Sequence, residues 1–527
     1  MTSIKLRPYP WLANSFSLRQ RFSVGGERTC SAARAVAGLL LSLLCACADA
    51  PRRPPGYVVV GLDAAPTSLD PRTASDASSA LILGLVHRGL TGTGASGEPE
   101  PDLAASWESP DPTTYRFFLT PAVFQSGEPV TAADVVATYR SLALPALQAR
   151  QDDALEVVGE VVAEDERTVR FTLRQPSAAF LHATRLAILP QGCAAQSDCR
   201  TGAGPFRLAR IGLDSVELAA APSAEPRPEV PGILFVVSPD SVSRALGLAR
   251  GSIDLVQNAV EPDLLPWLRE AGLEVVATPG STFHYLGINL RRADLADDRV
   301  RRAIAHAIDR DAIIEYVLAG HARPANELFP PGHWAHADVR AHDYDPERAR
   351  RLLAEARPGP IHVTLKTSTV ELRRRVGEVI ASMLAAVGID AEIRPLEWAT
   401  LYGDVRRGAF DVFALAWVGI EEPDHYHALL HSSMTPPRGS NRGQYAEARI
   451  DALTLAGRTV PGRGERAAIY REVAEIVQRD LPFVPLWWVD NVVVKNRDLL
   501  GFEPSPSGDL RSLARARWAV QRGPEAS

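Results

Sequence analysis

The sequence has few sulfur-containing residues and no excess of positive charge. Its N-terminal apolar run is too short to span a membrane. Its 527 residues include five cysteines and three methionines. The apolar run at residues 35–44 is about half as long as the roughly 20 residues that a membrane-spanning helix needs. Lys and Arg number 57 against 63 Asp and Glu, a net charge of −6. Without a broad basic surface, we expect no nucleic-acid partner.

Catalytic motifs with a known mechanism are also missing. The sequence has no G-x-S-x-G nucleophile elbow, no P-loop, no dinucleotide-binding fingerprint and no H-E-x-x-H. The strongest metal candidate is the group His425, His427 and His431, in which the last two are four residues apart. On a helix these two would share a face and could bind zinc or nickel. Their place after Pro423 favours solvated loop histidines, so we expect no metal site and no cofactor.

The N-terminal segment predicts export. Residues 1–46 carry a net charge of +5 and end in the apolar run followed by Cys45-Ala46-Cys47. A basic stretch, a short apolar core and small residues at its end are typical of a secretory signal. The last residues resemble a bacterial lipobox, which predicts lipidation of Cys47. The alternative is a buried helix with two incidental thiols.

Two cysteines remain in the folded part of the chain. Cys193 and Cys199 stand close together in a segment rich in small and polar residues. An isolated pair in an exported protein is more often a disulfide than a metal site, because a metal needs further ligands. We therefore predict a Cys193–Cys199 disulfide.

Strands and helices alternate along the rest of the chain. A β-branched run at 57–61 indicates a strand, and Thr131 with Asp134 resembles a capping box that begins a helix. Apolar residues at 300, 303, 304, 307 and 308 follow the spacing of one helix face. A helix over 372–386, ended by Gly388, precedes a strand. This alternation predicts an α/β protein with mixed sheets.

Aromatic residues are frequent in the last third. They include Trp398, Tyr402, Trp417, Tyr426, Trp487 and Trp488. Flat, rigid rings of this kind either stack on a small ligand or pack in the core. Trp487 and Trp488 cannot both face one side of a strand.

Several blocks in order resemble the family 5 solute-binding lipoproteins of bacterial ABC importers, the dipeptide, oligopeptide and nickel-binding class. The blocks are Ser68-Leu-Asp-Pro71, Val86-His-Arg-Gly-Leu90, Pro101-Asp-Leu-Ala-Ala-Ser-Trp107, residues 124–136, Gly202-Ala-Gly-Pro-Phe206, Tyr285-Leu-Gly-Ile-Asn289, residues 298–309, Tyr344-Asp-Pro346 and residues 481–487. The resemblance covers nearly the whole chain after the signal.

The resemblance implies a type II periplasmic-binding fold, with two lobes joined by crossing strands and an inserted domain. Ligand would bind between the lobes, which close over it, and an importer's permease and ATPase would receive it. We expect a monomer in the cell envelope, attached to the membrane through its lipid. The implied division is 1–46 signal, 47–56 tether, 57–95 with 200–283 and 485–520 lobe I, 96–199 inserted domain, and 284–484 lobe II.

The candidate ligand residues depart from the peptide-binding pattern. The family's peptide binders hold the ligand amine with an aspartate three residues after a tryptophan, and here Ile420 follows Trp417 at that spacing. Glu421 and Glu422 come next. Dipeptide binders also present an arginine near the position of Thr367, where Lys366 is the neighbouring cation. The predicted ligand-binding residues are Asn289, Thr367, Thr369, Trp398, Trp417, Glu421 and Glu422.

Two other functions stay open at this point. One is a peptide-sensing receptor lipoprotein with the same fold and no transport role. The other is an exported metal-dependent hydrolase that uses the histidines at 425–431.

We predict that Cys47→Ala releases the protein from membranes. Multiple acyl chains on Cys47 would be needed for stable anchoring, since a single chain binds only marginally. Membrane fractionation of wild type and variant, with a marker membrane protein as control, measures the effect. Equal membrane association of both proteins would contradict the anchor.

Overall fold

The computed structural model describes residues 53–519, apart from 75, 95, 145–146, 148–152, 197 and 357–360. The predicted signal and Cys47 lie outside the described residues. Of the predicted tether, Arg53 is bound to the folded part, with its guanidinium 2.8 Å from the Asp254 carboxylate. No helix within the described residues is long and apolar enough to span a membrane.

The described residues form strands and helices in alternation, as the sequence predicts. The strands are β1 Val58–Leu62, β2 Thr91–Thr93, β3 Pro99–Pro101, β4 Ala104–Asp111, β5 Thr114–Leu119, β6 Val158–Ala163, β7 Thr168–Leu173, β8 Phe206–Ile211, β9 Ser215–Ala220, β10 Gly232–Val237, β11 Leu255–Gln257, β12 Glu274–Ile288, β13 Ala322–Pro324, β14 Ile361–Ser368, β15 Ile389–Leu396, β16 Val412–Trp417, β17 Phe483–Lys495, β18 Leu499–Leu500 and β19 Arg517–Trp518. The helices are α1 Ala77–Val86, α2 Ala132–Ser141, α3 Asp153–Glu156, α4 Phe180–Ala183, α5 Gln191–Ala194, α6 Ser241–Ala249, α7 Leu265–Glu270, α8 Ala293–Ala296, α9 Asp298–Ala307, α10 Arg310–Tyr316, α11 Pro346–Ala356, α12 Glu371–Val387, α13 Trp398–Arg407, α14 His425–Leu430, α15 Ala448–Thr459 and α16 Arg463–Asp480.

One mixed sheet of 11 strands runs through most of the molecule. Its order is β15-β14-β16-β12-β17-β11-β1-β10-β9-β8, and β13 pairs with β17. We call the part around β1 and β8–β11 lobe I and the part around β14–β16 lobe II. The long strands β12 and β17 pair with each other and belong to both lobes. These are the crossing strands that the resemblance implies, and the α/β fold prediction is confirmed.

The crossing strands also decide where the lobes divide. The lobe boundaries expected from the sequence, after 283 and after 484, fall inside β12 and β17. The β12–β17 ladder is irregular at two places, between Thr278 and Thr282 and between His284 and Tyr285. Each of these two strands therefore passes from one lobe into the other without a break, near the points where their ladder is irregular.

A separate four-stranded antiparallel sheet, β4-β5-β7-β6, forms the inserted domain together with α2 and α4. Aromatic side chains fill its core, where Phe171 contacts Phe117 and Phe180 at centroid distances of 5.4 and 5.3 Å. The predicted capping box at its first helix is present, with Thr131 and Asp134 bonded to each other's backbone. The short ribbon β2–β3 leads into this domain.

Lobe II is built as a sheet covered by helices on both faces. One core contains Ile304 of α9 and Ile380 of α12, and the other contains Val405 of α13 and Val473 of α16. Trp487 and Trp488 lie in the first and the second core respectively, because neighbouring strand residues point to opposite faces. Helix α12 ends at Gly388, whose φ of 100° is the left-handed conformation that glycine adopts readily.

Cys193 and Cys199 are joined by a disulfide, with Cα atoms 5.3 Å apart. The loop that contains them is held against the segment after β1. The Asp70 carboxylate accepts a hydrogen bond from the backbone N–H of Cys199, and the buried Arg72 donates to the carbonyl of Ala194. The covalent link therefore closes a loop that is already fixed at its rim by a buried ion pair of Asp70 with Arg72.

We predict that the Cys193→Ser/Cys199→Ser double variant loses about 2 kcal/mol of unfolding free energy, because a short closed loop constrains the unfolded chain. Urea denaturation of the oxidised and variant proteins measures the difference. Thiol labelling of the denatured, unreduced wild type serves as control, since a bridged pair takes up no label. Full labelling of both cysteines would contradict the disulfide.

Candidate functional site

The carboxyl ends of three parallel strands meet at one edge of lobe II. Strand β14 pairs in parallel with both β15 and β16, so Ser368, Leu396 and Trp417 end at the same edge. Ligands of open α/β sheets bind outside the carboxyl ends of such strands. Apolar side chains are exposed there, with accessible fractions of 51% for Trp398 and 70% for Val418. This edge is the candidate ligand-binding surface.

Lobe I faces one end of this edge. The Arg375 guanidinium of α12 lies 2.7 Å from the Asp263 carboxylate in the 3-10 turn Pro262–Leu264 of lobe I. Arg373, on the same helix, is exposed to solvent, yet the surrounding protein lowers its pKa by desolvation, while the charge of Asp63 raises it. The Arg373 guanidinium therefore lies within electrostatic range of Asp63, which follows β1 in lobe I. Within the described residues it has no hydrogen-bonding or ion-pair partner.

Trp417 lies at the centre of an aromatic cluster that also holds a cation. Its ring stacks on Tyr285 at 6.3 Å and meets His425 edge-on at 4.9 Å. The Arg442 guanidinium lies 4.5 Å above the Trp417 ring and 5.4 Å above Tyr402, and donates a 2.9 Å hydrogen bond to the Tyr285 hydroxyl. A cation over aromatic faces gains about 0.5–2 kcal/mol per contact. Trp417 therefore forms one wall of a small cavity of about 30 Å³ inside lobe II.

Glu421 is surrounded by groups from the inserted domain and from the ribbon β2–β3. Its carboxylate accepts a hydrogen bond from Arg185 and lies 3.3 Å from both His182 Nε2 and Thr93 Oγ1. Burial opposes its ionisation, but the hydrogen bond of His182 and the charge of Arg185 outweigh burial and lower the Glu421 pKa to about 2. Glu421 is therefore ionised at neutral pH and paired with the Arg185 guanidinium of the chain itself.

Glu422 is paired within lobe II. Its carboxylate contacts the buried guanidinium of Arg466, which also donates to the carbonyl of Gly457 at 3.0 Å. A ligand ammonium could reach Glu421 or Glu422 only if an arginine gave way. The ligand-binding role predicted for these two residues stays a prediction.

The other predicted residues are distributed over two edges of the sheet. Thr367 is fully buried between β14 and α12, while Thr369 and Trp398 are exposed at the candidate edge. The nearby cation Lys366 is bound to the Asp404 carboxylate at 2.7 Å. Asn289 donates to the carbonyl of Phe410 at 2.7 Å. Asn289 comes directly after Ile288, which pairs with the first residue of β16. It therefore lies roughly 20 Å from Trp417, at the opposite edge.

The histidines of the metal candidate do not form the solvated loop that Pro423 suggested. His425–Leu430 is a helix, and His427 is buried beside Arg458, with Nδ1 3.1 Å from the guanidinium. Burial and this neighbouring charge lower the His427 pKa to about 4. The described residues contain no group of three or more His, Cys, Asp or Glu side chains placed to hold a metal ion. The expected lack of a metal site stays a prediction.

Several charged residues of the site could not be predicted from the sequence. Arg373 and Arg442 carry no motif, and the contact between His182, Arg185 and Glu421 joins positions more than 230 residues apart. Only the proximity of Arg373 to the predicted Thr367 loop could have pointed to it. Such pairs become visible only when the fold brings distant segments together.

We predict that Trp417→Ala lowers the unfolding free energy by about 3 kcal/mol, because the ring packs on Tyr285 and supports Arg442. Trp398→Ala is the matched control at the same edge. Among the described residues its half-exposed ring stacks only on Tyr402, at 5.5 Å, and we expect a loss below about 1 kcal/mol. Urea denaturation distinguishes the two. Equal losses would show that Trp417 is not the centre of the cluster.

Comparisons with known proteins agree with this architecture. Residues 98–436 match the family model of bacterial extracellular solute-binding proteins, family 5 middle. A probable di/tripeptide-binding protein of Pseudomonas aeruginosa is 25% identical over 80% of this chain and 88% of its own. A putative ABC transporter peptide-binding protein of Brucella ovis is 29% identical over 80% and 85%. The structure of the periplasmic binding protein DppA from Helicobacter pylori, in complex with the peptide STSA, superposes with a TM-score of 0.76 at 25% identity, covering 88% of this chain and 98% of that one. The chain therefore belongs to family 5 of the bacterial extracellular solute-binding proteins.

Proposed function

We propose that the chain captures a peptide or peptide-like solute outside the cytoplasm and delivers it to an ABC importer. Two of the three relatives described above are named as peptide-binding proteins, and the third is a periplasmic binding protein that was solved with a bound peptide. The resemblance of the N-terminus to a lipoprotein signal supports attachment through Cys47. We propose a monomeric binding protein without catalytic activity.

The Arg373 guanidinium carries the ligand part of the proposal. A guanidinium that has no partner among the described residues, facing lobe I across the cleft, offers a charge-assisted bond to a carboxylate. Two further polar groups nearby are buried and unpaired in the described part of the chain, the Ser368 hydroxyl and the Trp487 indole N–H. Buried polar groups normally have partners, so unpaired donors beside a cleft support a ligand that supplies acceptors.

His284 adds a neutral surface within electrostatic range of Arg373. It stacks on Trp487 with ring centroids 6.0 Å apart. Burial and the charge of Arg373 lower its pKa to about 3, so the imidazole is uncharged at neutral pH. A ligand carboxylate at Arg373 would meet one cation and no competing charge from His284.

Native mass spectrometry of the freshly purified protein tests the proposal first. We expect a co-purified mass that matches a peptide and is released by denaturation. Hydrolysis of that ligand on prolonged incubation, or one equivalent of bound zinc, would favour the hydrolase instead. Binding without any import defect after gene deletion would favour the receptor.

We predict that Arg373→Gln weakens binding of the identified peptide by about 10- to 100-fold, since a hydrogen bond to a charged group contributes about 1.5–3 kcal/mol. The control is Arg374→Gln on the same helix, because Arg374 is already paired with Glu371 at 2.7 Å and with Glu378. Titration calorimetry measures both variants. An unchanged affinity in Arg373→Gln would remove this residue from the ligand site.

A further inference from the structure

We propose that Glu421 acts as a clamp that holds lobe II against the inserted domain and the ribbon β2–β3 when the protein closes on its ligand. The inference rests on the proposed function, in which closure retains the solute. The clamp consists of Glu421 and its three partners Thr93, His182 and Arg185. Glu421 is a positioning residue here, since its partners belong to the protein itself.

The clamp joins segments that lie far apart in the sequence. His182 lies in α4 of the inserted domain and Arg185 follows that helix, whereas Glu421 follows β16 of lobe II. Thr93 ends β2 and adds a 3.3 Å contact to the same carboxylate oxygen. One oxygen atom, Oε2 of Glu421, therefore contacts three groups that lie outside lobe II.

Burial makes the contact depend on closure. The Glu421 and His182 side chains are exposed by only 10% and 8%. A carboxylate taken out of water loses its hydration and needs partners to replace it. In this structure the partners come from the other side, so Glu421 is stabilised in a buried position only while the two sides are together. Such a contact, present in one state and lost in the other, biases the equilibrium between them.

Neighbouring contacts lie along the same boundary between lobe II and the inserted domain, which we call the seam. The imidazole of His333 lies 2.9 Å from the backbone carbonyl of Glu421 and fixes the loop from within lobe II. Across the seam, the backbone N–H of Ala178 donates to the carbonyl of Arg458 at 2.8 Å, and Arg463 lies 2.8 Å from Glu98. The Arg463–Glu98 pair is largely exposed and contributes little. The Glu421–Arg185 pair is the more buried of these two charged contacts.

The adjacent Glu422 supplies an internal control. It has the same charge and is also paired with an arginine, but that partner, Arg466, belongs to lobe II. Neutralising Glu422 removes a pair within one lobe, whereas neutralising Glu421 removes a pair between domains. Only the second change should alter how far the protein opens.

The test compares Glu421→Gln, Glu422→Gln and Arg185→Gln in the mature protein. Spin labels at Glu166→Cys in the inserted domain and Arg471→Cys in α16, both exposed positions, report the distance across the seam. The distance distribution is measured on the protein as purified and again with a mixture of all natural dipeptides. Affinity for the same mixture is measured by competition with one radiolabelled dipeptide.

We expect Glu421→Gln to populate longer distances and to bind at least about tenfold more weakly, because the apparent affinity falls with the closed fraction. Arg185→Gln should reproduce this effect, and the Glu421→Gln/Arg185→Gln variant should add little to either, as groups that interact directly are not additive. Glu422→Gln should leave the distances as in wild type, even where it lowers the melting temperature.

Wild-type distances in Glu421→Gln, or equal opening in Glu422→Gln, would overturn the clamp. If the wild type binds no dipeptide, dipeptides are excluded as the ligand of the proposed function, and the clamp is still decided by the distances in the protein as purified. Thermal unfolding of each variant identifies a change caused by general destabilisation.

Discussion

The pairing of β12 with β17 is the interaction on which the rest of the structure depends. Both strands run through lobe I and lobe II, so their ladder is the backbone connection at which the lobes meet. On the lobe II side β12 also pairs with β16, which ends in Trp417. On the lobe I side β17 pairs with β11, next to β1. The candidate ligand edge and its opposing surface are thus both fixed relative to one pair of strands.

Much of the fold could be predicted from the sequence because it follows from local patterns. The α12 helix has an apolar face and a glycine just past its end, and the structure begins and ends it within one residue of the expected 372–386. Trp487 and Trp488 separate into two cores, which the twofold period of a strand requires. The lobe boundaries are harder to predict from the sequence, since no local signal marks the point at which a continuous strand passes from one lobe to the next.

The candidate site was harder to predict for a physical reason. Trp417 could be predicted from its resemblance to the family's tryptophan, but its neighbour Arg442 comes from a loop 25 residues later and has no motif. The charges of Glu421 and Glu422 were visible, and their partners Arg185 and Arg466 were not. Whether a carboxylate serves a ligand or the protein depends on tertiary distances, which a single sequence does not contain.

The position of β17 near the end of the chain also determines the order in which the molecule can be completed. Strand β1 is made early, but the neighbour pair β11–β17 that connects it to lobe II needs residues 483–495. Sheets dominated by such long-range pairings form slowly, because the chain must close large loops first. The inserted domain, whose strands are close in sequence, can form long before. The central sheet, in contrast, stays incomplete until residues 483–495 can pair with β11 and β12, so the connection between the lobes is among the last parts of the molecule to form.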